Sequence, residues 1–197
     1  MAHEETATQL IPKLDDTLHQ FVIKKLKEKI KKDPTPWSTW RSSHIYWFGD
    51  TSTGYYCLEH EGDILYFVRY KAIKANKMRF GRQILVWRNR TLKGSESAGF
   101  AKEIFFNVLL PKFKALIADQ EQTQDGMAFW QHALSEAINQ SYRFHSYFLD
   151  RRATPNVLHE IQSYADVLKY DKELWGTSEG HRRTFAVIST VPLEIKA

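Results

Sequence analysis

Three β-rich runs joined by turn chemistry, then a loop of small and basic residues, then a strongly apolar helix: this succession restricts the chain more than any other feature. Tyr55–His60 and Ile64–Ala72 are rich in β-branched and aromatic residues. They are separated by Glu61-Gly62-Asp63, a short connection of the kind a tight hairpin needs. A second pause at Ala75-Asn76-Lys77 leads into Arg79–Trp87. There Ile84, Leu85 and Val86 form an unbroken apolar run, which predicts a strand covered on both faces and the deepest of the meander. The chain leaves this strand through residues 88–99 and enters a helix marked by Phe100, Ala101, Ile104, Phe105, Val108 and Leu109, expected to close at or near Pro111.

The flanking segments fill out the same plan. The first eleven residues are polar and read as a loose N-terminus. From Pro12, Leu14, Leu18, Phe21, Val22, Leu26 and Ile30 recur at helical spacing, and six lysines between Lys24 and Lys32 line the opposite face. Asp33-Pro34-Thr35-Pro36 ends that helix, and His44–Phe48 reads as a first strand. Downstream, Ala115–Ala118 is a short strand, and Met127, Trp130, Leu134, Ala137 and Ile138 mark a second core helix. Tyr142–Leu149 is another strand, in which His145 alternates with Phe144 and Phe148 as on a sheet edge. Thr154-Pro155 reads as a helix cap opening a helix over 155–169, with Val157, Leu158, Ile161, Tyr164, Ala165 and Leu168 on its apolar face. Arg183–Ser189 closes as a strand. The expected fold is α+β, a mostly antiparallel twisted sheet of about six or seven strands flanked by helices. It forms one domain over residues 1–197, with the core at 12–150 and an additional helix and strand at 151–197.

Composition bounds the class. Apolar residues make up 43% of the 197 and aromatics 14%, which is ample for a core. The lone Cys57 makes no internal disulfide and sits in a strand as a small hydrophobe, and no charged-then-apolar leader opens the chain, so a reducing cytoplasmic compartment is expected. No run approaches the about 18 apolar residues that a membrane span needs. The eight histidines and single cysteine suggest no metal site. The net charge is +5, and its distribution is the informative part. From Arg69 to Lys93 there are nine basic residues and no acidic one, which points to an anionic partner or to a solvated sheet face.

The loop Arg88-Asn89-Arg90-Thr91-Leu92-Lys93-Gly94-Ser95-Glu96-Ser97-Ala98-Gly99 combines three requirements for binding a pyrophosphate. Gly94, Ser95, Ser97 and Gly99 let the backbone approach closely, the helix start offers free N–H groups, and Arg88, Arg90 and Lys93 supply countercharge. Glu96 is discordant and has to face away.

With these residues in place, the order of elements resembles that of the GNAT acyltransferase family over about residues 12–150. In that family the loop after the fourth strand carries an Arg/Gln-x-x-Gly-x-Gly/Ala signature around the coenzyme A pyrophosphate, and that strand's backbone pairs with the pantetheine arm. The resemblance implies that Val86 and the loop residues bind acetyl-CoA or another acyl-CoA, with Asn139 nearby. It further implies direct attack of an acceptor amine on the thioester, with Asp119 as base (Glu121 and Glu59 as substitutes) and Tyr142 as the acid that protonates the sulfur. Three features depart from the family: Arg90 to Gly94 is one residue too long, Gly94 to Gly99 leaves room for Ser95, Glu96 and Ser97 where the family usually turns tightly, and the helix expected over 155–169 stands where the family often has a hairpin.

Two other readings stand beside this one. Nine clustered cations interleaved with Tyr70, Phe80 and Trp87 suit a nucleic acid, with phosphates on the charge and bases on the rings. Alternatively the fold serves as a partner-binding or inhibitory protein without catalysis. The acyltransferase and nucleic-acid readings can also hold together, with Arg69–Lys93 recruiting a nucleic acid or an acidic protein as acyl acceptor; the acceptor itself is open.

Overall fold

A computed structural model of the chain describes residues 11–73, 81–89, 95–119, 124–153, 156–175 and 183–194. Helix α1 (Ile11–Lys32) precedes strands β1 (Ser38–Trp40), β2 (Ser43–Gly49), β3 (Thr53–His60), β4 (Asp63–Ala72) and β5 (Gly81–Arg88). A helical rod comes next, made of α2 (Phe100–Glu103), a π-helical turn (Ile104–Leu109) and α3 (Leu110–Phe113). Then come β6 (Ala115–Ala118), α4 (Gln124–Asn139), β7 (His145–Asp150), β8 (Val157–Ile161), α5 (Tyr164–Lys169), α6 (Asp171–Trp175) and β9 (Thr184–Ser189). All nine strands lie in one sheet, in the order β1-β2-β3-β4-β5-β6-β9-β7-β8. Among the described residues no helix is long and apolar enough to cross a membrane.

The meander forms where the turn signals put it. Glu61 and Gly62 both take positive φ (51° and 89°), the two-residue turn that suits a twisted hairpin, and His60 pairs with Asp63 across it. Strand β4 then carries one irregularity. Leu58 pairs with Tyr66 and Glu59 with Ile64, so Leu65 is an extra residue that reverses the strand's facing. Ile64 therefore packs on one face of the sheet, and Tyr66 and Val68 on the other. The bulged carbonyl of Leu65 accepts the Asn89 N–H at 2.9 Å, which ties down the exit of β5 into its loop.

Each face has its cover. Leu26, Val22, Ile23 and Ile30 of α1 pack on Tyr46, Cys57, Ile64 and Phe67. The rod and α4 cover the other face, over Tyr56, Leu58, Val68, Ile84 and Leu116. Cys57 is fully enclosed, and burial pushes its thiol up to about 12, so it is a core side chain with no thiolate at neutral pH. A thiol reagent at pH 8 is accordingly expected to leave the native protein unmodified and to titrate one group after unfolding in urea. Fast reaction of the native protein would contradict this burial.

The structure corrects several sequence expectations. The sheet has nine strands rather than six or seven, because β1 and β8 add an edge at each end. The helix expected over 155–169 is strand β8 followed by a short helix. Val157, Leu158 and Ile161 have a spacing that suits a five-residue strand as well as a helical face, and the true helix signal is the capping box of Ser163 with Asp166. Thr154 and Pro155, expected to cap that helix, lie outside the described residues. The deepest strands are β6 and β9, buried along their whole lengths, whereas β5 buries only Gly81 and Ile84. The rod also runs past Pro111 to Phe113: Pro sits in the first turn of α3, where its missing N–H is tolerated, just beyond the wider π turn. Strand β7, finally, is interior, between β9 and β8, so His145 is not on an edge.

Candidate functional site

Strands β5 and β6 run parallel, as the crossover through the rod requires, but they pair only from Gly81 with Ala115 to Ile84 with Ala118. Beyond that point β6 ends and the chain crosses to α4, while β5 continues to Arg88 alongside β4 alone. The backbone edge of residues 85–88 therefore faces a gap rather than a ladder partner among the described residues. Above the gap, the start of the rod and one side of α4 complete a cleft of about 480 Å³. Tyr66, Val86, Phe106 and Phe129 give it apolar walls, and Arg88, Ser97, Lys102, His132 and Glu136 bring polar groups to it.

The rod's first turn faces this cleft. A 3-10 turn, Ser95–Ser97, leads to Gly99, which takes φ 80° and ψ −10°, a left-handed conformation that glycine adopts without strain. The Gly99 carbonyl accepts the Glu103 N–H at 3.0 Å, and no side chain caps the helix. The N–H groups of Phe100, Ala101 and Lys102 thus have no carbonyl four residues back inside the helix. Trp40 braces the turn: its indole donates to the Glu96 carbonyl at 3.0 Å and its ring meets Phe100 edge-on. The Glu96 carboxylate accepts the Ser42 hydroxyl at 2.9 Å, so it is drawn to the β1–β2 hairpin, away from the cleft, as the sequence required.

Of the residues singled out from sequence, Val86, Arg88, Ser97 and Gly99 come together in the cleft wall, and Ser95 opens the turn behind them. Arg90, Lys93, Gly94 and Glu121 lie outside the described residues. Asp119, half-buried, is the first residue after β6, at the point where the two strands part. Asn139 ends α4 on an exposed position, and Tyr142 is 82% exposed in the turn beyond. That turn precedes β7, whose His145 pairs with Ser189 opposite Ala115, so Tyr142 lies toward the paired end of the sheet rather than the gap. Glu59 is engaged elsewhere, accepting the Gly62 N–H and standing 3.5 Å from His44 Nδ1.

Three polar cleft residues escaped the sequence reading, Lys102, His132 and Glu136, as did the apolar Phe129. His132 and Glu136 stand four apart on α4, a spacing visible in the sequence, but the apolar stripe of Trp130, Leu134 and Ala137 is the stronger signal and marks the neighbouring face. Lys102 Nζ lies 3.0 Å from Glu136 Oε2. The Lys102 hydrogen bond, with a further one from Gln140, holds the Glu136 carboxyl below the usual carboxylate range. Among the described residues no group of three or more His, Cys, Asp or Glu side chains is placed to hold a metal ion.

Among the described residues, the basic side chains of this stretch fall on both faces of the sheet. Arg82 and Arg88 share the face of Ile84 and Val86, whereas Arg69 and Lys71 share the opposite face with Phe67. Arg82 donates to the Thr51 carbonyl at 2.7 Å and stacks over Phe113, and Arg69 lies over the ring of Tyr55. Lys74, Lys77, Arg79, Arg90 and Lys93 lie outside the described residues.

No protein-family profile matches the chain, and no curated protein matches it by sequence. Among solved structures it is similar to ribosomal-protein-alanine N-acetyltransferase from Brucella melitensis, at 13% identity and a TM-score of 0.35 over 90% of this chain and 78% of that one. It is also similar to the Campylobacter jejuni N-acetyltransferase PseH in complex with acetyl coenzyme A, at 12% identity and a TM-score of 0.29 over 91% of this chain and 82% of that one. Likenesses this distant carry no functional weight, and a functional reading has to stand on the geometry of the cleft.

Proposed function

We propose that the chain is an acyl-CoA-dependent acyltransferase whose cleft between β5 and β6 holds the coenzyme, with an amine as acceptor. One observation carries the reading: an interior parallel strand pair comes apart after four residues, and the freed edge of β5 opens beside an uncapped helix start preceded by a left-handed glycine. An extended chain bearing amide groups can pair with the edge at residues 85–88 as a missing strand would, and a pyrophosphate finds the cleft-lining first turn of the rod at Ala101 and Lys102, with Arg88 beside it. The walls suit such a ligand, apolar where a pantetheine lies and cationic where phosphates lie.

When bound, the coenzyme supplies an acyl group activated as a thioester. The chain's part is then orientation and proton transfer. Asp119, where the strands part, is the carboxylate assigned to take the proton from the acceptor nitrogen. Tyr142, the acid implied by the resemblance, is 82% exposed in the turn after α4, and His132, which is also exposed but lines the cleft, is the alternative proton donor we assign.

A second reading keeps one supporting observation. Lys24, Lys25, Lys29, Lys31 and Lys32 of α1 are solvent-facing to varying degrees, and such a face suits a nucleic acid or an acidic protein. Thermal melting separates the two. Acetyl-CoA at about a hundred times its Kd is expected to stabilise the chain by roughly 2.7 kcal/mol, and the shift survives moderate salt. Stabilisation by a short oligonucleotide alone, fading as salt rises, would replace the enzyme reading with the binding one.

A further inference from the structure

The cleft contains an anion of its own. Lys102 belongs to the first turn of the rod and Glu136 to α4, and their 3.0 Å ion pair spans the two helices that wall the cleft. The partners are held unequally. Glu136 Oε1 accepts a hydrogen bond from Gln140, the first residue beyond the end of α4, which holds the carboxylate in place. Lys102 carries its charge on a long flexible stem, and its side chain is 60% exposed against 30% for Glu136. The ammonium of the rod's own first turn is thus already paired, with a carboxylate held on α4.

We propose that Glu136 is a built-in competitor for the anion site: it holds Lys102 while the cleft is empty, and a ligand with clustered phosphate charge takes Lys102 from it. The proposal rests on the coenzyme reading of the cleft and adds a means of discrimination. A ligand with one weak charge gains little from Arg88 and the helix N–H groups and does not displace Glu136. A pyrophosphate engages all of these groups at once and draws Lys102 across. The exchange removes the ion pair between the rod and α4, so ligand entry loosens the wall on that side. Lys102 is therefore a binding residue for phosphate, and Glu136 a residue that sets how much charge a ligand must bring.

Calorimetric titration of coenzyme A into the full chain tests this with Glu136→Gln, Lys102→Met and the double variant. Freeing Lys102 is worth about the strength of an exposed ion pair, so Glu136→Gln is expected to tighten coenzyme A binding about threefold to fivefold. Lys102→Met is expected to weaken it about tenfold, as the loss of a charged hydrogen bond does. The decisive comparison is the Lys102→Met background, where adding Glu136→Gln is expected to change affinity less than about twofold, because no ammonium remains to be released. Equal tightening in both backgrounds would overturn the proposal in favour of plain repulsion, and weaker binding in Glu136→Gln would overturn it by making Glu136 a direct ligand contact. Glu136→Asn repeats the test with a shorter side chain, and melting without ligand checks that each variant folds. Coenzyme A binding unchanged by Glu136→Gln removes the competitor and leaves the coenzyme reading intact. A wild-type chain that binds no coenzyme A removes both.

Discussion

Replacing Gly99 by valine is expected to abolish coenzyme A binding and to lower stability by about 1–3 kcal/mol, the cost of forcing a β-branched residue into a left-handed conformation. The strain comes from the backbone, because a Cβ built at Gly99 meets only the Trp40 ring, at an ordinary 3.6 Å. Loss of binding has a separate cause. Gly99 lies in the cleft wall just before the first helical turn, whose Ala101 and Lys102 also line the cleft, and a branched side chain there stands where a phosphate has to approach the backbone. Gly99→Asn separates the two effects. Asparagine tolerates the left-handed region, so its variant is expected to melt close to the wild type and still bind coenzyme A poorly. Calorimetric titration and melting of both variants check this, and full coenzyme A binding by Gly99→Val would remove the loop from the site.

The largest loss of stability is expected at Trp130. Its side chain is 1% exposed, and its ring meets Phe105 of the rod edge-on at 5.2 Å and lies beside Phe129. Phe129 also meets Phe105, at 5.3 Å, so these three rings fasten α4 to the rod beneath the cleft. Truncation to alanine removes the largest fully buried side chain among the described residues and leaves a cavity between two helices that cannot close fully, at a cost of about 3–5 kcal/mol. For a domain of this size that is a fall in Tm of about 10 °C. Urea denaturation followed by circular dichroism measures it. The same variant is expected to bind coenzyme A less tightly, because Phe129 and His132 lose their anchorage. A change below about 1 kcal/mol would show that α4 is not held in this way.

What the sequence revealed depended on whether its signals were local. Glu61-Gly62-Asp63 announces a hairpin because Gly62 takes positive φ without strain and the polar break is short between two β-rich runs, and the meander could be read from it. Val157, Leu158 and Ile161 announce nothing unique, since five residues are too few for alternation and helical spacing to diverge. The helix start that settles the matter, Ser163 with Asp166, sits inside the longer helix that the apolar spacing suggests. The burial of β5 differs from expectation for another reason. Ile84, Leu85 and Val86 are apolar on both faces, yet Val86 fronts the cleft, and an apolar run does not distinguish a core wall from a ligand wall. For the candidate site, the loop's glycine and serines and Arg88 were legible because phosphate binding needs particular backbone chemistry at a helix start. The α4 wall was not. Its Phe129, His132 and Glu136 flank the buried stripe, and only the packing of α4 against the rod turns that flank toward β5.

The central claim is that the gap beside the free edge of β5 holds an acyl coenzyme. A crystal structure of the chain with coenzyme A tests it most directly. The account predicts the pantetheine along residues 85–88, the pyrophosphate against the first turn of the rod at Ala101 and Lys102 with Arg88 beside it, and Lys102 turned from Glu136 toward the phosphates. Coenzyme A seated elsewhere, or an unchanged cleft in crystals saturated with it, would contradict the account.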